Sequence, residues 1–171
     1  MTTNWTLPNT VDQYAEPGGE TAHISWINFA GLSSLDGKST RTSRDLTHIA
    51  IDERHDLTNK TYYLKLTNFS FTRLPDVLTG IEVRVSMNRG GRITDETVQL
   101  CINNNLIGDN QASLEMSPIK IYGSDTSKWN TQLTMNDIQT STFGVVLRFQ
   151  SHPRWPHKSS PLIDAVELRI H

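Results

Sequence analysis

The chain has 171 residues, of which 36% are hydrophobic and 20% charged, and this length suits a single domain. Thr, Ser and Asn supply 47 of the 171 residues, and because their short polar side chains compete with helical hydrogen bonds, this composition disfavours a protein of long helices. The net charge of −2 gives no general basis for binding nucleic acid, and no apolar run is long enough for a transmembrane helix.

The N-terminal residues and the cysteine content bear on where the protein is made. Residues 1–5 have neither the basic nor the apolar region of a secretory signal peptide. Cys101 is the single cysteine, so the sequence provides no intrachain disulfide and no cysteine-rich zinc site. We therefore expect synthesis in a reducing cytosol.

The first part of the chain shows the weaker structural signals. Residues 1–21 are expected to be an irregular N-terminal arm, and Ala22–Phe29 is a candidate strand. Leu46–Ile51 forms a short apolar strand candidate. Tyr62–Phe71 alternates through its leucines and then changes parity at Asn68, which predicts a bulge or a strand break there.

The later segments alternate strictly between apolar and polar side chains, which is typical of half-buried strands. The clearest is Gly80–Asn88, where Ile, Val, Val and Met occupy every second position. The other segments with this pattern are Thr97–Asn103, Phe143–Phe149 and Val166–Ile170, whereas Ile119–Gly123 is only a short candidate strand.

One helical turn is predicted over Met135–Gln139. Thr134 is suited to cap it, and Asp137 lies near the positive end of the helix dipole. We expect this turn to close one end of the fold with Ile138 pointing inward, and Gly144 to allow a close approach between backbones. About eight short strands with one half-buried face predict an all-β fold, an antiparallel jelly-roll-like β-sandwich over residues 22–171.

No motif for catalysis or for metal or cofactor binding is present. The sequence lacks a phosphate-binding loop, a nucleophile elbow and a zinc-binding helix. The run Asp52–Asp56 could form a metal site or an acid–base pair, but five adjacent polar residues are more often a solvated charge run, and it is interpreted as one. Asn103–Asn105 with Asp109 does not have the spacing of a calcium loop and is interpreted as a polar loop. Cys101 lies on the polar side of its strand and is expected to be unreactive. The prediction is a protein that is not an enzyme and that has no cofactor.

Two loops are candidates for contact with a partner. Arg154, Trp155 and His157 lie in the proline-rich stretch Ser151–Pro161, where prolines reduce the entropy lost on docking. The alternative is a long connection whose tryptophan covers the end of the sandwich.

The second loop is a predicted hairpin tip at Gly90-Gly91. Arg89 and Arg92 flank these glycines, which suit either a tight turn or, less readily, an anion-binding nest.

An ordered series of short motifs extends over residues 25–171. In chain order it comprises Ser25–Asn28, Asp36–Gly37, Leu78–Ser86, Thr94–Ile102, Gly108–Ala112, Ile121–Ser124, Trp129, Asn136–Ile138, Phe143–Val145 and Ile163–Ile170. The series resembles a β-sandwich module that recurs in virion proteins of tailed phages, including head decoration (cement) proteins and tail or fibre components. The proline-rich stretch departs from this pattern.

The resemblance implies a structural protein of a bacteriophage virion that assembles in the host cytoplasm. The expected role is a capsid decoration protein that binds the major capsid protein or other virion proteins, with self-association also allowed and no nucleic-acid or membrane partner. The alternative is a tail, fibre or adaptor component. A separate hypothesis, which comes from the sandwich fold and not from the resemblance, is a carbohydrate-binding module, for which Trp129, Trp155 and Tyr122 are the candidate aromatic side chains.

Overall fold

The computed structural model describes residues 1–15, 24–33, 40–42, 46–52, 55–58, 60–88, 93–151, 158–159 and 161–171. Within these ranges there are thirteen strands, one 3-10 turn at Phe29–Ser33 and one helical turn, α1. The strands are β1 Pro8–Tyr14, β2 Trp26–Ile27, β3 Thr40–Thr42, β4 Leu46–Asp52, β5 His55–Thr58, β6 Tyr63–Phe69, β7 Ile81–Asn88, β8 Ile93–Ile102, β9 Asn105–Ile107, β10 Ile119–Ser124, β11 Gly144–Ser151, β12 Lys158–Ser159 and β13 Leu162–Ile170; α1 is Met135–Ile138.

Ten of the strands form two five-stranded antiparallel sheets. Sheet 1 has the order β1-β6-β11-β8-β9, and sheet 2 has the order β10-β7-β13-β3-β2. The strands β12, β4 and β5 form a third, three-stranded sheet. The predicted all-β antiparallel sandwich is confirmed.

Alternating side chains from both sheets fill the core, as the sequence pattern predicted. In sheet 2, Ile81, Val83, Val85 and Met87 are 0–2% exposed, whereas the residues between them are partly exposed. The same cluster contains side chains from sheet 1, among them Leu64, Leu66, Val98, Leu100, Val145, Leu147 and Phe149. Burial of this apolar seam is the main stabilising contribution to the fold, at about 25 cal/mol per Å² of apolar surface removed from water.

The parity change predicted in the sixth strand is present. Asn68 adopts a left-handed backbone conformation with φ of 60°, which asparagine tolerates better than most residues. As a result, Leu66 and Phe69 both reach the core although they are three residues apart.

The N-terminal residues are more regular than the sequence predicted. β1 pairs with β6 along Pro8–Tyr14, and Thr6 forms a bridge to Leu168 of β13. The amide of Thr3 donates to the Ile170 carbonyl at 2.9 Å. The expectation of an irregular arm is therefore wrong for these residues, because the segment first bonds to β13 of sheet 2 and then forms the edge strand of sheet 1.

The helical turn and its capping box are confirmed. The Asp137 amide donates to the Thr134 hydroxyl, and the Thr134 amide donates to the Asp137 carboxylate at 2.8 Å. These bonds from Thr134 hold the pKa of Asp137 below its ordinary value. Ile138 is 1% exposed and joins the core, as expected. Gly144 lies so close to β6 that a β-carbon there would be 1.9 Å from the Leu66 carbonyl oxygen.

Candidate functional site

The side chains predicted from the sequence to contact a partner lie outside the described residues. This applies to all five candidate side chains, Arg89, Arg92, Arg154, Trp155 and His157. The run Asp52–Asp56 is described only in part and only as backbone. The described candidate surfaces therefore lie on the two five-stranded sheets.

Two of the aromatic side chains proposed as carbohydrate contacts are part of the core. Trp129 is 1% exposed and donates its indole N–H to the Ile81 carbonyl at 2.8 Å, and Tyr122 is 4% exposed. Each is buried because its polar tip has a partner inside the protein; the Tyr122 hydroxyl donates to Asp95 at 2.8 Å. The prediction that these two rings contact a glycan is wrong, and Trp155 lies outside the described residues.

Cys101 is on the outer face of sheet 1, yet it is only 1% exposed. Its neighbours across the ladder are Gly144 of β11 and Leu106 of β9. Burial raises the pKa of the thiol to about 12, so the side chain stays protonated and is a poor nucleophile.

The outer face of sheet 1 contains a cavity of about 320 Å³, which we call the Tyr14 groove. Its lining residues are Asp12, Gln13, Tyr14, Lys65, Cys101, Asn104 and Val146. They come from β1, β6, β11, β8 and the β8–β9 turn, so the sheet itself positions them. Sequence reasoning missed the groove because it depends on the pairing of β1 with β6.

An aromatic stack forms one wall of the Tyr14 groove. The rings of Tyr14 and Tyr63 lie with centroids 5.0 Å apart and planes 20° from parallel. The Arg148 guanidinium is 4.5 Å from the Tyr63 ring centroid, and its Nη1 donates to the Tyr63 hydroxyl at 2.9 Å. Arg148 is 1% exposed, and its Nε donates to the Thr61 carbonyl at 3.1 Å. Tyr63 is thus held between two planar groups, and Tyr14 is the exposed end of the stack, at 37%.

The polar wall of the groove carries opposite charges. Lys65 donates to the Asn104 side-chain oxygen at 2.9 Å and lies 3.9 Å from the Asp12 carboxylate. Burial, reinforced by the neighbouring Tyr63 and Cys101 and opposed by Arg148, raises the pKa of the Tyr14 hydroxyl. The phenol is therefore neutral at ordinary pH and available as a hydrogen-bond donor.

A second exposed feature, which we call the β10 surface, lies at the edge of sheet 2. Ile119 is 62% and Ile121 49% exposed, and Met116 lines a cavity of about 470 Å³ together with Ile119. The charged residue between the isoleucines, Lys120, points inward and contacts Asp95 at 2.5 Å. The outward face of the strand thus presents two apolar side chains. Across the ladder, Ile119 lies opposite Ser86 and Ile121 lies opposite Arg84, whose charge is paired with Glu167.

The main-chain groups of β10 also face outward at the two isoleucines. The Met87 amide of β7 donates to the Pro118 carbonyl at 2.8 Å. Because hydrogen-bonded pairs alternate along an antiparallel ladder, Lys120 bonds to β7 while Ile119 and Ile121 direct their N–H and C=O groups away from it. β10 has no further strand beside it among the described residues.

Among the residues that the structure describes, no three His, Cys, Asp or Glu side chains are grouped so as to hold a metal ion. No described helix has the length and apolar character needed to cross a membrane. No protein-family model, curated protein or solved structure matches the chain. The resemblance to phage virion modules therefore stays a prediction.

Proposed function

We propose that the protein is a non-enzymatic structural protein of a bacteriophage virion, a head decoration protein that binds the major capsid protein and strengthens the shell. The observation that carries the adhesive part of this proposal is the β10 surface. Unpaired edge strands usually bear charged side chains, prolines or bulges that prevent pairing with other chains. The outward-facing side chains Ile119 and Ile121 provide no such block.

The surroundings of the β10 surface resemble the rim of an interface. On the outer face of the same sheet, Arg84 pairs with Glu167 at 2.6 Å and Arg169 pairs with Glu82 at 2.5 Å. An apolar centre beside paired charges is the usual composition of a protein–protein contact. We propose that an extended segment of the capsid protein adds to β10, since strand addition satisfies the main-chain groups and places side chains against the isoleucines.

Two kinds of experiment test the proposal: one establishes whether the protein is part of a phage head, and the other alters the β10 surface by substitution. The gene should lie beside a major capsid gene, and the protein should be present in hundreds of copies in purified particles, because a tail component is present in far fewer. Ile121→Lys should reduce co-sedimentation with empty heads at least tenfold. Leu106→Lys is the matched control, since Leu106 is 44% exposed on the edge strand of the other sheet. Equal binding by the two variants would refute the role of β10, and low copy number would refute the head location.

A tail, fibre or adaptor component that binds carbohydrate is the second candidate. The Tyr14 groove favours it, because an exposed aromatic ring beside hydrogen-bonding side chains is a common arrangement in small-molecule sites. Binding at the groove and adhesion at β10 use opposite sheets and are separable by experiment.

A further inference from the structure

We propose that the Tyr14 groove binds one ring of a neutral sugar, with the apolar face of the sugar on Tyr14 and its hydroxyls on the side chains of Asp12, Lys65 and Asn104. The inference rests on the second candidate function, whose ligand class it names, and it does not depend on the location of the protein in the head or the tail of a particle. It rests on the wall, the polar groups and the floor of this groove.

The wall provides a rigid platform. Tyr14 contacts Tyr63 on one side, so its exposed area lies on the remaining face and edge. Tyr63 is itself fixed by the buried Arg148 guanidinium. An aromatic ring that is already ordered before binding loses little conformational entropy when a ligand packs on it.

The polar groups match hydroxyls better than they match ions. Each sugar hydroxyl donates one hydrogen bond and accepts others, and the groove offers a carboxylate acceptor at Asp12, an ammonium donor at Lys65 and an amide at Asn104. The ammonium of Lys65 is 3.9 Å from Asp12 and bonded to Asn104. Among the described residues that line the groove, Lys65 is the one cation, and an anionic ligand such as a phosphate would meet the Asp12 carboxylate beside it, which argues against anions as the ligand class.

The floor and the size fit one ring. Val146 and Cys101 are 1% exposed and give the groove an apolar floor. The volume of about 320 Å³ is at the low end of the range of roughly 300–1,000 Å³ for ligand sites. One monosaccharide unit occupies such a space, and the rest of an oligosaccharide would extend into solvent.

The test uses saturation-transfer NMR with the methyl glycosides of glucose, galactose, mannose and N-acetylglucosamine as probes at millimolar concentration. At least one probe should receive saturation from the wild-type protein. Tyr14→Ala should weaken binding about tenfold, whereas Tyr14→Phe, which keeps the ring, should retain most of it. Asp12→Ala is the second variant, because Asp12 is a surface side chain, 56% exposed, and its removal leaves the stack in place.

The controls separate this proposal from folding effects and from adhesion. Ile121→Ala, on the opposite sheet, should bind the same glycoside as wild type does. Circular dichroism melts should show that each variant is folded. Absence of transfer to all four glycosides, or equal transfer in wild type, Tyr14→Ala and Asp12→Ala, overturns the proposal. Either result leaves co-sedimentation with heads, which tests the proposed function, unaffected.

Discussion

The buried ion pair between Lys120 and Asp95 links the two sheets and gives the sharpest test of the packing argument. Their side chains are 8% and 0% exposed, and the ammonium also donates to the Ser113 hydroxyl at 2.6 Å. The Tyr122 hydroxyl donates to the same Asp95 oxygen at 2.8 Å. Lys120→Met removes the ammonium, retains most of the aliphatic stem and takes the Lys120 charge away from the buried Asp95 carboxylate.

The expected loss follows from burial. An ion pair exposed to water contributes about 0–1 kcal/mol, but removing one partner of a buried pair costs about 3–5 kcal/mol because the remaining charge is uncompensated. For a chain of this length each kcal/mol corresponds to about 2–4 °C in Tm, so Lys120→Met should lower Tm by roughly 6–20 °C. The double variant with Asp95→Asn restores neutrality and keeps an acceptor for Tyr122, so it should be more stable than Lys120→Met alone.

The assay is urea unfolding of the wild type, both single variants and the double variant, monitored by tryptophan fluorescence. The four values of ΔG form a double-mutant cycle that isolates the coupling between the two side chains. A loss below about 1 kcal/mol in Lys120→Met would refute the reasoning, because it would mean that water compensates the carboxylate. So would a double variant that is no more stable than Lys120→Met.

Three further outcomes are expected. Gly144→Ala should destabilise the protein by several kcal/mol or prevent folding, since a β-carbon there meets a backbone carbonyl oxygen of β6 at 1.9 Å, as an unfolding titration would measure. Cys101 should react with a disulfide reagent at pH 8 slowly in the folded protein and rapidly in urea, because burial raises the pKa of its thiol to about 12. Burial of Glu82 raises the pKa of its carboxyl group, but hydrogen bonds from His171 and Arg169 outweigh burial, and the net pKa is below the ordinary value of 4.5. The Glu82 carboxylate therefore stabilises the fold at pH values above 4.5, and this stabilisation is lost as the pH falls through the lower pKa of the folded state. Glu82→Gln should therefore be less stable than wild type at pH 7, with a smaller difference at pH 3 in thermal melts.

Each of these has a clear contrary result. Wild-type stability in Gly144→Ala would mean that the two strands separate at little cost. Equal labelling of Cys101 with and without urea would mean that the thiol is accessible in the folded state. If Glu82→Gln differs from wild type in stability by the same amount at pH 3 and pH 7, the stabilisation by Glu82 does not come from its ionised carboxylate.

Local sequence determined most of the longer strands, with β1 as the exception, and also the helical turn and much of the core. Alternation of apolar residues from Ile81 to Met87 places one face in the core whatever the partner strands are, because successive side chains point to opposite faces of a strand. The capping box at Thr134 and Asp137 is equally local, since both groups lie within one turn. Asn68 marked the parity change because asparagine tolerates the left-handed conformation.

Tertiary structure decided which surfaces remain exposed. Nothing in the sequence near Tyr14 indicates that β1 pairs with β6, and without that pairing there is no stack and no groove. Likewise, Cys101 has the parity of an outward residue, but neighbouring strands cover it, and Trp129 and Tyr122 are buried because distant groups satisfy their polar atoms. The physical reason is that alternation assigns a side chain to a face of its own strand, whereas burial of that face depends on chain segments many residues away.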